Sequence, residues 1–168
     1  FRLYEGRSAH HLADYSHCPV VIVPRDWHDT EGRNQIVAFV DDLESAKSIL
    51  GYAFDTAAAR GVPLKIVHVA AENPHEYERW HATKDIVDEF TSCYPYVSVT
   101  MVVDHGNRQR FARSAAHDTA LLVLGQPHAS RPMRLVSHSL ARAVISRAAC
   151  PVAVVPVRRR SEKSDDAG

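Results

Sequence analysis

The sequence predicts an α/β protein with an open, doubly wound, five-stranded parallel sheet, preceded by the last helix and strand of an earlier copy of the same domain. Short apolar runs alternate with longer amphipathic segments, which is typical of parallel strands joined by crossover helices. The stretch Leu121–Val157 reads strand, polar loop, helix and strand. The run CPVVIVP at 18–24 recurs as CPVAVVP at 150–156, and a repeat at such an offset indicates two copies of one domain.

Each strand is predicted from a short apolar run, in part with alternating polarity. In chain order the runs are Val20–Val23, Ile36–Val40, Leu64–Val69, Val97–Val103, Leu121–Leu124 and Val152–Val155. In the fourth run, Val97, Val99, Met101 and Val103 alternate with other residues, so one face of that strand is expected to point inward.

The helices follow from apolar residues that recur every three or four positions. A first helix is predicted over 43–60, with Asp42 as its N-cap and Gly61 as its stop. A second lies between Pro74 and Pro95, where proline can begin a helix and break it. Its inward face is predicted to be Trp80, Thr83, Val87 and Phe90. A third follows Gly106-Asn107 with an inward face of Phe111, Ala112, Ala115 and Ala116, and a fourth opens at His138-Ser139.

These elements divide the chain into four parts. Residues 1–24 are predicted to be the C-terminal remnant of a preceding domain, and 25–34 are a polar linker. Residues 35–157 form the complete domain. Residues 158–168 are charged without an apolar pattern, and we expect a disordered tail there.

Composition excludes several classes of function. Twenty basic residues balance twenty acidic ones, so no basic field favours nucleic acid or anionic lipid. No apolar run approaches the roughly 20 residues that span a bilayer. Three widely spaced cysteines without a CxxC motif suit a reducing cytoplasm better than a disulfide framework. We therefore expect a cytoplasmic protein without nucleic-acid or membrane partners.

Histidine and cysteine do not form a convincing metal or redox site. His10, His11 and His17 are close in sequence, but neighbouring positions of a helix face different directions, and no Cys/His pair has the spacing of a zinc finger. We expect no metal site. Cys18 and Cys150 each precede a proline at the start of an apolar strand, which favours packed, inert thiols over reactive ones.

A ligand site is expected where parallel strands end. Asp41, Val69 and Gly125 lie at predicted carboxyl ends of strands, and ligands bind along that edge of such sheets. The helix that opens at His138-Ser139 directs free N–H groups toward the same edge, which would stabilise an anion. A nucleotide would fit, with Asp41 on the adenosine and the loop 125–139 on phosphates. The alternative is that Asp41 only helps to cap a helix and Gly125 only turns the chain.

The order and local sequence of these elements resemble the universal stress proteins. The stretches that carry the resemblance are Ile36–Asp41, Ala57–Gly61, Ile66–Val69, Leu121–Gly125 and Cys150–Val155. It covers nearly all of 35–157, and the last helix and strand recur at 6–24. The resemblance implies an adenine nucleotide alpha hydrolase-like sheet and agrees with a tandem arrangement.

ATP-binding members of that family carry Gly, two residues, Gly, nine residues, Gly, and then Ser or Thr. Here Gly125 and Ser139 keep the outer positions, whereas His128 and His138 replace the two glycines between them. The small-residue positions after Ser139 begin with Leu140, so a serine hydroxyl is missing as well. The resemblance implies the following nucleotide-binding residues: Asp41, Val69, Leu124, Gly125, His128, His138, Ser139 and Leu140.

Glycine lets backbone N–H groups approach a phosphate, and a histidine side chain occupies that space, although a protonated imidazole can itself donate to phosphate. The glycine that members carry after the first strand is Asp42 here, which adds negative charge. We therefore expect ATP to bind weakly or not at all, with Mg²⁺ only alongside ATP.

The resemblance implies a non-catalytic module of stress response and dormancy, acting through nucleotide sensing or protein contacts. The alternative is a weak ATP-hydrolysing enzyme or a transferase of the adenosine-binding α/β group, for which Asp42 and His138 are the candidate residues. Relatives pair their last strands antiparallel across a two-fold axis. We expect Val20–Val23 and Val152–Val155 to pair in this way, within one chain as a pseudo-dimer or between the chains of a homodimer.

Overall fold

The computed structural model describes residues 13, 15–28, 34–40, 42–70, 75–104, 118–126, 144–145 and 148–157. Within them, six strands form one sheet: β1 (Val20–Ile22), β2 (Gln35–Val40), β3 (Leu64–Val69), β4 (Val99–Asp104), β5 (Thr119–Gly125) and β6 (Val152–Val155). Two long helices are α1 (Leu43–Arg60) and α2 (Glu76–Cys93). The predicted strands and the first two helices are all present with small shifts of their ends. The third helix, most of the fourth and the tail lie outside the described residues.

The sheet has the order β1-β6-β5-β2-β3-β4. The five strands from β2 to β6 are parallel, which confirms the predicted five-stranded parallel sheet. From β2 the chain moves to β3 and β4 on one side, and then to β5 and β6 on the other. The strand order therefore reverses between β2 and β5.

The sixth strand comes from the N-terminal part of the chain. β1 pairs antiparallel with β6, with Val21 opposite Ala153 and Val20 opposite Val154. β6 is thereby hydrogen-bonded on both sides, and all four of its residues are buried. The pairing expected from the sequence is present within the chain. Its role as an interface between two copies of the domain stays a prediction.

Helix α1 forms where its terminal signals are. Asp42 accepts a hydrogen bond from the Ser45 N–H at the first turn, and Glu44 and Arg60 complement the dipole at opposite ends. Gly61 ends the helix at φ 63°. The N–H of Val62 reaches back to the carbonyl of Ala57, which satisfies the last turn in a left-handed glycine cap.

Two apolar clusters cover the two faces of the sheet, as a doubly wound fold requires. On the first face, α1 and α2 pack over residues such as Ile36, Ile66 and Val123. Phe54 of α1 is fully buried there. The second cluster contains Val37, Phe39, Leu122, Leu124 and Val152, joined by Ala13, Val144 and Cys150. The N-terminal segment therefore contributes to the core as well as to the sheet.

Three predictions of detail were wrong. The fourth predicted strand begins at Val99, not Val97, and Val103 is exposed, because β4 is an edge strand that α2 covers only in part. Val23 lies beyond β1 and is exposed. Cys18 is exposed as well, while Cys150 is buried as predicted. Cys18 lies in a bend just before the edge strand β1, where its side chain stays exposed.

Candidate functional site

The candidate site is the point at which the strand order reverses. The carboxyl ends of β2 and β5, at Val40 and Gly125, are neighbours there. Helix α1, which follows β2, packs on the first face, whereas Val144, on the connection after β5, packs on the second, and a crevice is expected between two such connections. Open α/β sheets bind ligands in this crevice. The described residues around it are Asp42, Ser45, Gly125 and Gln126.

The Asp42 carboxylate caps the N-terminus of helix α1, which lies beside this crevice. The Ser45 N–H donates to Asp42 Oδ1 over 2.7 Å, and the Ser45 hydroxyl donates to the Asp42 carbonyl oxygen over 3.3 Å. Free N–H groups and the helix dipole make an uncapped N-terminus attractive to anions. The Asp42 carboxylate uses one of those groups and offsets the positive end of the dipole. A phosphate approaching α1 would meet a negative charge.

Gly125 lies close to helix α1, where a side chain would be crowded. A Cβ built on it would lie 2.9 Å from Ile49 Cδ1 and 3.4 Å from Ser45 Cβ of α1. Its φ is not positive, so the freedom of glycine to adopt left-handed backbone is not used. The close approach of strand and helix favours a small residue here whether or not a ligand binds. Its presence in the family motif is therefore weak support for phosphate binding.

Gln126 connects the end of β5 to two distant parts of the chain, a role that no sequence motif indicated. Its backbone N–H donates to the Val155 carbonyl over 2.8 Å. Its side-chain Nε2 donates to the carbonyl oxygens of Ala13, over 2.9 Å, and Ser16, over 3.4 Å. The first residue after β5 is thus tied both to β6 and to the N-terminal segment.

A buried polar cluster fixes the end of β3 beside the crevice. His68 is 1% exposed, and its Nε2 lies 2.6 Å from Glu76 Oε1 in the first turn of α2. Arg79 Nη1 donates to the other carboxylate oxygen over 3.2 Å. The Trp80 ring meets the His68 ring edge-on at 5.4 Å. Because a carboxylate only accepts, Nε2 carries the proton; Nδ1 has no hydrogen-bond partner among the described residues.

Replacing Glu76 with alanine should destabilise the protein by about 1–3 kcal/mol, because the buried His68 N–H would lose its acceptor. Glu78→Ala is the matched control two residues away. The side chains of Glu78 and its partner His75 are 73% and 74% exposed, and exposed pairs contribute little. Urea unfolding should show the loss for Glu76→Ala and a change within about 0.5 kcal/mol for Glu78→Ala. Equal effects of the two substitutions would contradict a special role for the His68 pair.

The structure brings only part of the predicted site into view. Val69 is the last residue of β3 and Gly125 the last of β5. Leu124 is buried in the second cluster, so its side chain is not available to a ligand. The other predicted residues lie outside the described ranges: Asp41, His128, His138, Ser139 and Leu140.

The described residues also bear on two other classes of site. No three of their histidines, cysteines and acidic residues are grouped so that they would hold a metal ion. None of the helices in these ranges has the length and apolar character needed to cross a membrane.

The family of the chain follows from its similarity to known proteins. The family model described as the universal stress protein family matches residues 32–156, which is most of the chain. The chain belongs to the universal stress protein family. Universal stress proteins from two strains of Mycobacterium tuberculosis, CDC 1551 and H37Rv, are each 30% identical to it over 125 residues. The alignment covers 70% of this universal stress protein but 46% of each relative, so the chain spans about half their length.

Solved structures agree with the fold of this universal stress protein. A universal stress protein from Archaeoglobus fulgidus superposes with a TM-score of 0.66 at 19% identity, covering 89% of this chain and 53% of that one. A universal stress protein in complex with cAMP gives 0.59 at 18%, covering 76% and 100%. Another from Archaeoglobus fulgidus, in complex with dAMP, gives 0.51 at 20%, covering 73% and 96%. At these identities the likeness establishes the fold alone.

Proposed function

We propose that this protein is a non-catalytic module of stress adaptation, acting through nucleotide sensing or protein contacts, which takes up an adenine nucleotide only weakly where β2 and β5 end. The observation that carries the proposal is the Asp42–Ser45 cap. It puts a carboxylate, 2.7 Å from the Ser45 nitrogen, at the helix end that would otherwise attract phosphate. The nucleotide site would lie at the usual position for this fold, but the Asp42 carboxylate would weaken its attraction for anions.

Two related structures support adenine as the base. Their ligands, cAMP and dAMP, are adenine nucleotides with one phosphate. Val69 at the end of β3 and Asp41 after β2 match the positions that hold adenosine in the family. A monophosphate needs fewer hydrogen-bond donors from the phosphate loop than ATP does. We therefore propose that monophosphates bind this site at least as tightly as ATP.

The remaining contacts would fall on the loop that follows Gly125. Ser139 would hold a phosphate through its hydroxyl, and His128 and His138 would stand where two glycines normally admit the phosphates. Mg²⁺ would enter only with ATP, where it neutralises the charge of the phosphates. Asp42 would repel the same phosphates from the other side of the crevice.

Calorimetric titration of the protein with AMP and with ATP plus Mg²⁺ tests this proposal. We expect dissociation constants for ATP weaker than about 100 μM, with AMP equal or tighter. A dissociation constant for ATP in the low micromolar range would contradict weak binding at this site. No heat and no shift of thermal unfolding with either nucleotide would leave protein contacts alone as the function. Release of phosphate from ATP faster than in buffer would contradict the non-catalytic part.

Replacing Asp42 with asparagine should tighten ATP binding by about threefold to tenfold. Asparagine caps a helix as well as aspartate does, so the cap is kept while the negative charge near the phosphates is removed. The control is Asp85→Asn, which removes one charge from the exposed side of α2. Titrations at two salt concentrations should show the gain for Asp42→Asn shrinking as salt rises. Equal gains from both substitutions would indicate a general charge effect and contradict the role of Asp42.

A further inference from the structure

We infer that Gln126 is a positioning residue that couples the nucleotide seat to the N-terminal segment 13–22. This inference rests on the proposed function, and it concerns how the same site is regulated. The established family match covers 32–156, so the segment lies wholly outside it. The structure nevertheless joins the segment to Gln126, the residue that follows Gly125 at the end of β5.

The segment contacts the domain in three places. Ala13 is 3% exposed and fills part of the second apolar cluster. Val20–Ile22 pair with β6 as strand β1. Between these two anchors, the carbonyls of Ala13 and Ser16 both accept from Gln126 Nε2. The segment therefore runs past the carboxyl edge of the sheet and meets the candidate site there.

The same contacts fix the direction in which the chain leaves β5. Gly125 lies against Ile49 and Ser45 on the first face. Gln126 is held on the other side, by its backbone bond to Val155 and its side-chain bonds to the segment. Neighbouring residues along a strand face opposite sides of the sheet. Gly125 is therefore held from the first face and Gln126 from the second, an arrangement we call the clamp. A segment that undocks releases one side of this clamp.

Thermodynamic linkage then couples the two events. If docking of the segment fixes the start of the phosphate loop in the form that binds nucleotide, nucleotide must stabilise the docked segment by the same factor. Loss of the Gln126 amide should weaken both. A domain or partner that undocks the segment would thereby change the affinity for nucleotide without contacting the nucleotide itself.

The test compares Gln126→Leu with Gln35→Leu, the same change at the opposite edge of the sheet, where β2 begins. Hydrogen exchange is followed in the backbone amides of 15–22 by mass spectrometry, with AMP and ATP plus Mg²⁺ as the probes. Without nucleotide, Gln126→Leu should speed this exchange by about fivefold relative to wild type. Gln35→Leu should leave it unchanged. Equal rates in the two variants would overturn the clamp whether or not nucleotide binds.

The second part measures coupling. Saturating nucleotide should slow exchange of 15–22 in the wild type, and Gln126→Leu should bind the same nucleotide about threefold to fivefold more weakly. Gln126→Lys, which restores a donor toward the two carbonyls, should recover slow exchange of the free protein. If the wild type binds nucleotide but neither effect appears, the coupling is wrong and the proposed function stands. If the wild type binds no nucleotide, the nucleotide-binding part of the proposed function and the coupling fail together, while the exchange of the free protein still decides whether Gln126 holds the segment.

Discussion

Restoring glycine at positions 128 and 138 together should raise the affinity for ATP by about tenfold to a hundredfold. In the proposed site, His128 and His138 would each add a Cβ and a ring where the family motif lets backbone N–H groups reach phosphate. Removing both should return two to three hydrogen bonds to charged oxygens, each contributing about 1.5–3 kcal/mol before the entropy of ordering is subtracted. The measurement is calorimetric titration of His128→Gly/His138→Gly with ATP plus Mg²⁺, beside the wild type.

As a control, the wild type and the double variant are both titrated with adenosine, which has no phosphate. Its affinity should change by less than about twofold, since the substitutions fall on the phosphate loop alone. A gain for adenosine equal to that for ATP would show that the histidines act on the whole crevice. No gain for ATP would contradict the proposed role of the two histidines, and Asp42 would be the next residue to change.

Replacing Phe54 with alanine should cost about 3–5 kcal/mol of unfolding free energy. Phe54 is fully buried between the sheet and α2. Its ring lies 5.5 Å from the rings of both Phe90 and Tyr94, stacked on the first and tilted against the second. Truncation would leave a cavity between the two helices of the first face and remove both aromatic contacts.

Urea unfolding measures this loss, and Tyr96→Ala is the control. Tyr96 is fully exposed, so its removal should change the unfolding free energy by less than about 0.5 kcal/mol. The dependence on urea should stay the same if the native state keeps its compactness. A loss below about 1.5 kcal/mol for Phe54→Ala would mean that α1 and α2 close over the gap, and that the first face is less rigidly packed than its contacts indicate.

Local patterns were sufficient to predict the fold. Helix α1 was predicted to the residue because its apolar period, its Asp42 cap and its Gly61 stop are all encoded within a few positions of one another. The parallel strands followed from short apolar runs that are buried on both faces. Val103 was placed wrongly because a period of two says which residues share a face, and not whether a helix covers that end of the face.

The candidate site was predictable only in its location. The sequence marks the carboxyl ends of β2, β3 and β5, but the contacts that shape them join distant parts of the chain. Gln126 bonds to Ala13 across 113 positions, and a Cβ on Gly125 would lie 2.9 Å from Ile49 Cδ1 of α1. His68 reads as one more residue of an apolar strand until Glu76 is seen beside it. No spacing rule predicts such pairs, since tertiary packing selects them.

Strand β6 is an interior strand only because β1 lies beside it. The family match begins at residue 32, so a fragment cut to its limits would lack β1. The outer edge of β6 would then present unpaired backbone N–H and carbonyl groups of an apolar strand to other molecules. Such a fragment would also lack the small side chain of Ala13 in the second cluster. We therefore expect a fragment that keeps Ala13 and β1 to be more stable and less prone to associate than one that begins after β1.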